Sequence, residues 1–133
     1  MQKIGILNSS IAKVLADLGH TDTIAVGDCG LPVPAGVLKI DLALRLGQPS
    51  FFDVVQEIAK YMEIEKIHVA SEMQAKNPQQ WLRMRELFPQ EKTGWIISSH
   101  EEFKKATSGV KAVIRTGEVT PYSNVILHAG VIF

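Results

Sequence analysis

The sequence has little of several features that would mark a particular class of protein. It contains a single cysteine, Cys29, which excludes an intramolecular disulfide and a multi-cysteine zinc site and favours a reducing compartment. It has no uninterrupted run of eighteen apolar residues and no cleavage-like pattern near its start, so neither a membrane span nor a leader is expected. We therefore expect a cytoplasmic protein with no membrane partner.

An excess of charge of one sign is also missing. Fourteen basic and fourteen acidic residues cancel and are interspersed, so no basic surface for nucleic acid is expected. The phosphate-binding patterns GxGxxG and GxxxxGK[ST] are absent, which removes the best sequence support for a nucleotide cofactor. No metal-ligand spacing such as HExxH joins the four dispersed histidines, His20, His68, His100 and His128. We expect no nucleic-acid partner, no cofactor and no metal.

The chain is rich in apolar side chains for its size. Hydrophobic residues make up 46% of its 133 positions, and a chain of this length forms one domain that buries about two thirds of its unfolded surface. The interior of so small a domain is limited, so part of the apolar surface is expected to lie against other subunits. Composition thus predicts a single domain over residues 1–133 and modestly favours a homo-oligomer.

Short apolar runs alternate with amphipathic patterns along the chain. Helices are expected after four capping signals, Asn8, Ser50 with Asp53, Asn77 with Pro78, and Ser99 with Glu102. Gly19 is expected to end the first helix in a left-handed conformation. Strands are expected at 4–7, 23–27 and 37–44 and in KIHVA, WIISS, KAVIRTG and SNVILHAGVIF. This alternation predicts a three-layer α/β/α fold with a mixed, mostly parallel central sheet, and the apolar residues 130–133 are expected to dock against the body or an interface.

His20 and Asp28 flank the apolar run 23–27 and are side-chain types suited to proton transfer at neutral pH. Eight residues of extended chain would separate them by roughly 26 Å at about 3.3 Å per residue. One small substrate therefore contacts both only if the chain turns back or a second copy contributes. The structural alternative for His20 is a surface histidine that interacts with the C-terminus of a helix. For Asp28 it is a turn residue of the GLPVP loop.

His100 lies in the first turn of a capped helix, where the helix dipole favours a neutral imidazole that donates one hydrogen bond and accepts another. An exposed residue at a helix start is the alternative. The loop TPYSN, residues 120–124, presents a phenol and an amide beside a strand, which is what a polyhydroxylated ring requires. An ordinary polar turn is equally compatible with this loop.

Other reactive side chains have simpler interpretations. Arg115 and Glu118 are expected to form a structural ion pair. His68 and His128 alternate with apolar neighbours, so packing in the core or on a sheet face is expected. Cys29 is a poor candidate nucleophile because the neighbouring carboxylate raises the pKa of a thiol.

Several strings of the sequence resemble, in register, the bacterial ribose pyranase and fucose mutarotase family. They are ILNSSIAKVLADLGHTD, GDCGLPVPAGVLKIDLAL, SHEEFK and AVIRTGEVTPYSNVILHAGV. Together they cover nearly the whole chain, and only residues 55–95 or so carry a less distinctive pattern. The resemblance implies an isomerase that interconverts the pyranose and furanose forms of ribose and so supplies ribokinase. By matching position it implies His20 as the catalytic proton donor and five sugar-binding residues, Asp28, His100, Tyr122, Ser123 and Asn124.

The same resemblance implies a ring-shaped homo-oligomer, typically a decamer of two pentamers, with sites at subunit boundaries. Two alternatives stay open, which are a fucose-type sugar mutarotase and a non-catalytic cytoplasmic sugar-binding protein. The fucose branch matches less well, because its members tend to carry an asparagine and an aromatic residue after the equivalent aspartate. Here Gly30 and Leu31 occupy that segment.

Overall fold

The computed structural model describes all 133 residues and contains twelve helices and strands in one sheet-and-helix arrangement. The strands are β1 (Thr23–Gly27), β2 (Leu38–Asp41), β3 (Ile64–Ala70), β4 (Gly94–Ser98), β5 (Ala112–Arg115) and β6 (Val125–Ala129). The α-helices are α1 (Ser9–Asp17), α2 (Phe51–Ala59), α3 (Ser71–Lys76), α4 (Pro78–Leu87) and α5 (His100–Ala106), and a 3-10 helix (Thr107–Gly109) follows α5. The longest helix has ten residues, so no helix could cross a bilayer.

The six strands form one sheet in the order β2-β5-β1-β6-β3-β4. Five strands run parallel, and β6 is antiparallel to both of its neighbours, β1 and β3. The predicted mixed, mostly parallel sheet is therefore confirmed. The carboxyl ends of the five parallel strands share one edge of the sheet, where β6 begins, and we name it the carboxyl edge; the opposite one is the amino edge.

Side chains that alternate along the strands enter two different cores. Ile24 and Val26 of β1 pack in the larger core with residues of α1, α2, α3 and α4, whereas Ala25 packs in a smaller core with Phe103 of α5. Successive strand residues point to opposite faces of a sheet, so the two cores lie on its two sides. Helices thus cover both faces, which confirms the three-layer α/β/α prediction.

The capping signals form as the sequence predicted. Asn8 accepts a hydrogen bond from the backbone N–H of Ile11, and Ser50 accepts one from that of Asp53. Asn77 likewise caps α4, and Ser99 with Glu102 forms a complete capping box. These bonds are local, spanning three residues, and each satisfies an N–H that the first turn of a helix leaves without a partner.

Four other local expectations differ from the structure. Residues 4–7 are not a strand, because Gly5 turns the backbone with φ 91° and Ile4 and Leu7 are exposed. Helix α1 ends at Asp17 without a left-handed glycine, and the left-handed residue of that loop is Thr21, with φ 73°. Helix α3 was not predicted. At the C-terminus, the Gly130 N–H bonds the Glu63 carbonyl, but Ile132 and Phe133 are exposed and do not dock against the body of the chain, so docking at an interface stays a prediction.

Candidate active site at the carboxyl edge

The fold brings five of the six predicted site residues to the carboxyl edge. Asp28 directly follows β1, and His100 begins α5 two residues after β4. Tyr122, Ser123 and Asn124 directly precede β6, whose antiparallel direction places its start at the same edge. Ligand sites of open α/β sheets form at this edge, because loops from several strands converge there.

Asp28 and Asn124 exchange two hydrogen bonds. The Asp28 N–H donates to Asn124 Oδ1 at 2.9 Å, and Asn124 Nδ2 donates to Asp28 Oδ2 at 3.0 Å. The other carboxylate oxygen accepts from the Gly30 N–H at 2.9 Å, so the turn role considered for Asp28 is also present. Gly27 permits this close pairing, since a Cβ there would lie 2.9 Å from Asn124 Oδ1 and 2.5 Å from Leu31 Cδ2.

The His100 imidazole lies between two aromatic rings. It meets Tyr122 edge to face with ring centroids 5.1 Å apart, and it is nearly parallel to Phe103 at 6.2 Å. Its Nδ1 atom is buried and has no hydrogen-bond partner within the chain. Tyr122 has the left-handed φ of 58°, which turns the loop back toward β6. The arrangement offers a flat aromatic surface and a free imidazole nitrogen side by side.

Glu72, which sequence reasoning missed, ties this histidine to the start of α3. Both carboxylate oxygens of Glu72 accept from the His100 backbone N–H, at 3.0 and 3.1 Å. The bond from His100, followed by one from the backbone of Glu72 itself, lowers the pKa of Glu72 below its usual value. An acidic residue in the first turn after a strand was the available signal. Glu72 therefore sets where α5 begins, and with it the place of His100.

Asn77 anchors the loop that carries Tyr122. Its Nδ2 lies within hydrogen-bond distance of Thr120 Oγ1 (3.1 Å), Pro121 O (2.8 Å) and Ser123 Oγ (3.1 Å). Thr120 and Ser123 also share a hydroxyl–hydroxyl bond of 2.8 Å. Ser123 is fully buried, so its side chain supports the loop from beneath. Sequence reasoning assigned Asn77 only its capping role.

Glu118 is a buried carboxylate that the same loop surrounds. Oε1 accepts from the backbone N–H groups of Val119 and Thr120 and from the Thr120 hydroxyl, while Oε2 accepts from the Phe51 N–H and Gln80 Nε2. Burial alone raises the pKa of Glu118, but the hydrogen bonds, those from Thr120 first, outweigh it and leave the pKa below its usual value. The carboxylate thus remains ionised without a cation.

The predicted Arg115–Glu118 ion pair is wrong. Arg115 instead donates to Asp41 Oδ2 at 2.9 Å and to the Cys29 carbonyl at 2.9 Å. The reason is the pairing of β2 with β5, which sets Asp41 beside Arg115 in register. Strand pairing of this kind joins residues distant in the chain, and the local spacing of Arg115 and Glu118 does not reveal it.

His20 lies apart from the other candidates. It precedes β1 at the amino edge, where the Thr21 N–H bonds the Ala129 carbonyl and His20 Nε2 lies 3.1 Å from Glu65 Oε2. The five residues of β1 separate the two edges by about 16 Å, at about 3.3 Å per residue. One chain therefore does not bring His20 to the residues of the carboxyl edge.

The carboxyl edge of a single chain is open. A cavity of about 560 Å³ lies elsewhere, between α1 and β2, and no predicted site residue lines it or the cavities of about 360, 250 and 220 Å³. No group of three or more His, Cys, Asp or Glu side chains lies close enough to hold a metal ion. The polar groups at this edge are arranged on a surface rather than in an enclosed pocket.

The two remaining histidines pack as predicted. His68 is buried and its Nε2 lies 2.7 Å from Ser98 Oγ, and His128 is half-buried in β6. Burial lowers the pKa of both histidines. The charge of His128 lowers the pKa of His68 further, and the charge of Lys66 lowers that of His128 further.

The fold and the carboxyl edge of the sheet belong to a known class of protein. A family model matches residues 1–132, so the chain belongs to the RbsD / FucU transport protein family. Over the full length of both chains it is 60% identical to the D-ribose pyranase of Bacillus licheniformis. It is also similar to the structure of Bacillus subtilis RbsD complexed with D-ribose, with a TM-score of 0.96, 53% identity and complete coverage of both chains.

A more distant structure shares the fold alone. The fucose mutarotase of Streptococcus pneumoniae, in complex with L-fucose, has a TM-score of 0.75 and 19% identity over 96% of this chain and 95% of its own. The backbone arrangement is therefore common to both proteins.

Proposed function

We propose that this chain acts as a D-ribose pyranase, an isomerase that interconverts the pyranose and furanose forms of D-ribose. The observation that carries the proposal is the full-length identity of 60% to a D-ribose pyranase. The structural similarity to a ribose-bound relative supports the same substrate. Residues 1–133 act as one domain, and the furanose product is the form that ribokinase uses.

The reaction is an acid–base opening and closing of a hemiacetal. Protonated His20 donates to the ring oxygen as the bond from that oxygen to C1 breaks, while a base removes the proton of the anomeric hydroxyl and C1 becomes an aldehyde. After rotation about a carbon–carbon bond, the C4 hydroxyl adds to C1 and the proton transfers run in reverse. The base is left unassigned. Positioned proton transfer typically contributes about 10² to 10⁴-fold in rate.

The carboxyl-edge residues bind and orient the sugar. The Asp28 carboxylate accepts hydrogen bonds from hydroxyl groups, and the His100 imidazole is a further polar contact. Tyr122 supplies an apolar ring face with a phenol at its end. Asn124 orients Asp28, and the buried Ser123 contributes through the shape of the loop.

The active form is a ring-shaped homo-oligomer, a decamer of two pentamers, with each site at a boundary between subunits. The support is that His20 and Asp28 lie at opposite edges of the sheet and that the carboxyl edge is open. In the single chain, seven large apolar side chains are at least 74% exposed: Met1, Ile4, Leu7, Leu44, Leu46, Ile132 and Phe133. Exposed apolar area of this extent marks surfaces that other molecules cover.

The proposed compartment is the cytoplasm. The only cysteine is free, which accords with a reducing environment. Ribokinase, which uses the product, acts there on imported sugar.

Saturation-transfer NMR on D-ribose and L-fucose tests the function. We expect the protein to accelerate the exchange between ribopyranose and ribofuranose, and His20→Ala to abolish that acceleration while ribose binding persists. Acceleration confined to the anomers of fucose would identify a fucose-type mutarotase instead. Ribose binding with no acceleration of exchange would identify a sugar-binding protein.

A further inference from the structure

We propose that Glu65 is a positioning residue for His20, which engages the imidazole Nε2–H and thereby presents Nδ1 as the nitrogen that exchanges a proton with the sugar. The inference rests on the proposed function, in which His20 is the proton donor. Its basis is the contact between His20 Nε2 and Glu65 Oε2 at 3.1 Å, made across 45 residues of sequence.

A defect in the strand pairing aims Glu65 at His20. Between β3 and β6, Ile64 pairs with Ala129 and Lys66 pairs with His128, so two steps along β3 correspond to one step along β6. Glu65 is the extra residue of this β-bulge. Bulges redirect a side chain relative to a regular strand and are common beside functional sites. The amino edge therefore has a backbone irregularity at the residue that contacts the imidazole.

The chemistry of the pair specifies which nitrogen is free. An ionised carboxylate only accepts hydrogen bonds, so the hydrogen of the pair is on Nε2. A neutral His20 then has a lone pair on Nδ1, and a protonated one has a transferable hydrogen on Nδ1. The bond from His20, followed by that from Lys66, lowers the pKa of Glu65, which keeps the carboxylate ionised. Carboxylates that orient a catalytic histidine in this way stabilise its protonated form.

The surrounding charges leave the pair intact. Lys66 Nζ contacts the other oxygen of Glu65, Oε1, at 3.2 Å, so the two oxygens serve different partners. Asp22 lies on the β1 side, where it accepts from the Gly19 N–H and lies 3.5 Å from Lys111 Nζ. His128 lies on the neighbouring strand β6 and Glu63 directly precedes β3, and neither side chain bonds His20 or Glu65. Glu65 is the single side chain bonded to the imidazole.

A merely structural role would have a different signature. The side chains of His20 and Glu65 are 50% and 34% exposed, and exposed ion pairs contribute little to folding. Removal of the carboxylate should therefore leave the free energy of unfolding nearly unchanged. Its effect should instead fall on the proton-transfer step, and so on kcat rather than on KM.

The experiment compares Glu65→Gln with Glu63→Gln in the full-length, assembled protein. Glu63 is an exposed carboxylate two residues away whose side chain has no partner, so its variant is the matched control. Saturation-transfer NMR across roughly pH 5 to 9 gives kcat and KM for ribose exchange. We expect Glu65→Gln to lower kcat about tenfold with KM unchanged, because an amide, which can donate as well as accept, no longer fixes the hydrogen on Nε2.

Three outcomes separate the possibilities. If Glu65→Gln matches wild type in kcat while His20→Ala is inactive, the positioning role is wrong and the proposed function stands. If the wild-type protein does not accelerate ribose exchange, the proposed function is wrong, and the positioning role that rests on it is wrong as well. Should Glu65→Gln not fold, the ¹⁵N shifts of His20 in the wild-type protein decide the question: a neutral imidazole with its hydrogen on Nδ1 would overturn the inference.

Discussion

Asp28 and Asn124 are bonded to each other twice although 96 residues separate them in the chain. The Asn124 amide accepts from the Asp28 backbone and donates to its carboxylate, so it joins the end of β1 to the start of β6. One carboxylate orientation is thereby selected before any ligand arrives. Preorganisation of this kind lowers the ordering cost that a sugar would otherwise meet on binding.

Asn124→Asp should weaken ribose binding strongly. The substitution replaces the donor Nδ2 with a carboxylate oxygen that faces the carboxylate of Asp28. Loss of a hydrogen bond to a charged group costs about 1.5 to 3 kcal/mol, or roughly 10- to 100-fold in KM. Calorimetric titration with ribose and the KM of exchange measure it.

The matched control for that variant is Asn8→Asp. Asn8 caps α1, and aspartate caps a helix as well as asparagine does, so KM should stay at the wild-type value. An Asn124→Asp protein with wild-type KM would show that the Asp28–Asn124 pair does not organise the site.

Asn77→Asp should destabilise both the fold and the loop above it. The two hydrogens of Nδ2 serve three oxygen atoms within 3.1 Å. The Pro121 carbonyl among them can only accept, so a carboxylate oxygen in place of Nδ2 would lose that bond and repel the carbonyl. We expect a loss of about 1 to 3 kcal/mol in the free energy of unfolding, measured by urea denaturation, together with a raised KM. Gln79→Glu, the same change on the exposed face of α4, should stay within about 0.5 kcal/mol of wild type.

The free energy of unfolding should decrease as the pH is lowered below the usual pKa of histidine. Burial, the largest cause, lowers the pKa of both His68 and His128 below 6.5 in the folded chain. Below that value the unfolded chain binds more protons than the folded chain, so stability is lost from about pH 6.5 downward through the folded pKa values. Urea denaturation at roughly pH 7.5 and 5.5 should show the loss, and His68→Gln or His128→Gln should each reduce it. Equal stability at the two pH values in wild type would contradict this account.

Two inactive variants should restore activity when combined. If each site takes His20 from one subunit and Asp28 from another, mixed oligomers of His20→Ala and Asp28→Ala should recover roughly one quarter of wild-type exchange, the share of sites with both native residues by chance. NMR exchange after joint refolding measures the recovery. His100→Ala with Asp28→Ala, two variants of the same edge, should recover none. An active monomer, or equal recovery in both mixtures, would refute the shared site.

The parts of the fold that depend on near neighbours were predictable. The caps at Asn8, Ser50, Asn77 and Ser99 each use a bond to an N–H three residues ahead, and the alternation of Ile24, Ala25 and Val26 between two faces follows from strand geometry alone. The error at residues 4–7 has the same local character. Gly5 adopts a positive φ, and an apolar run of four residues did not reveal it.

The site was predictable as a set of residues and not as an arrangement. Sequence patterns and the family resemblance named His20, Asp28, His100 and the loop at 122–124. They did not reveal Glu65, Glu72 or the contacts of Asn77 and Glu118, because these side chains have no distinctive local spacing. Their partners lie between 28 and 67 residues away in the chain, except within the loop at 118–120 itself.

By itself, then, the sequence determined the helix starts, the two-faced strands, the α/β class and the side-chain types available for acid–base chemistry on a sugar. Only the tertiary structure decided the strand order, with β6 antiparallel between β1 and β3. That order joins Asp28 to Asn124, places His20 at the opposite edge and turns Glu65 toward it. The physical reason is that these hydrogen bonds close long loops of chain, and they form only when the whole sheet has assembled.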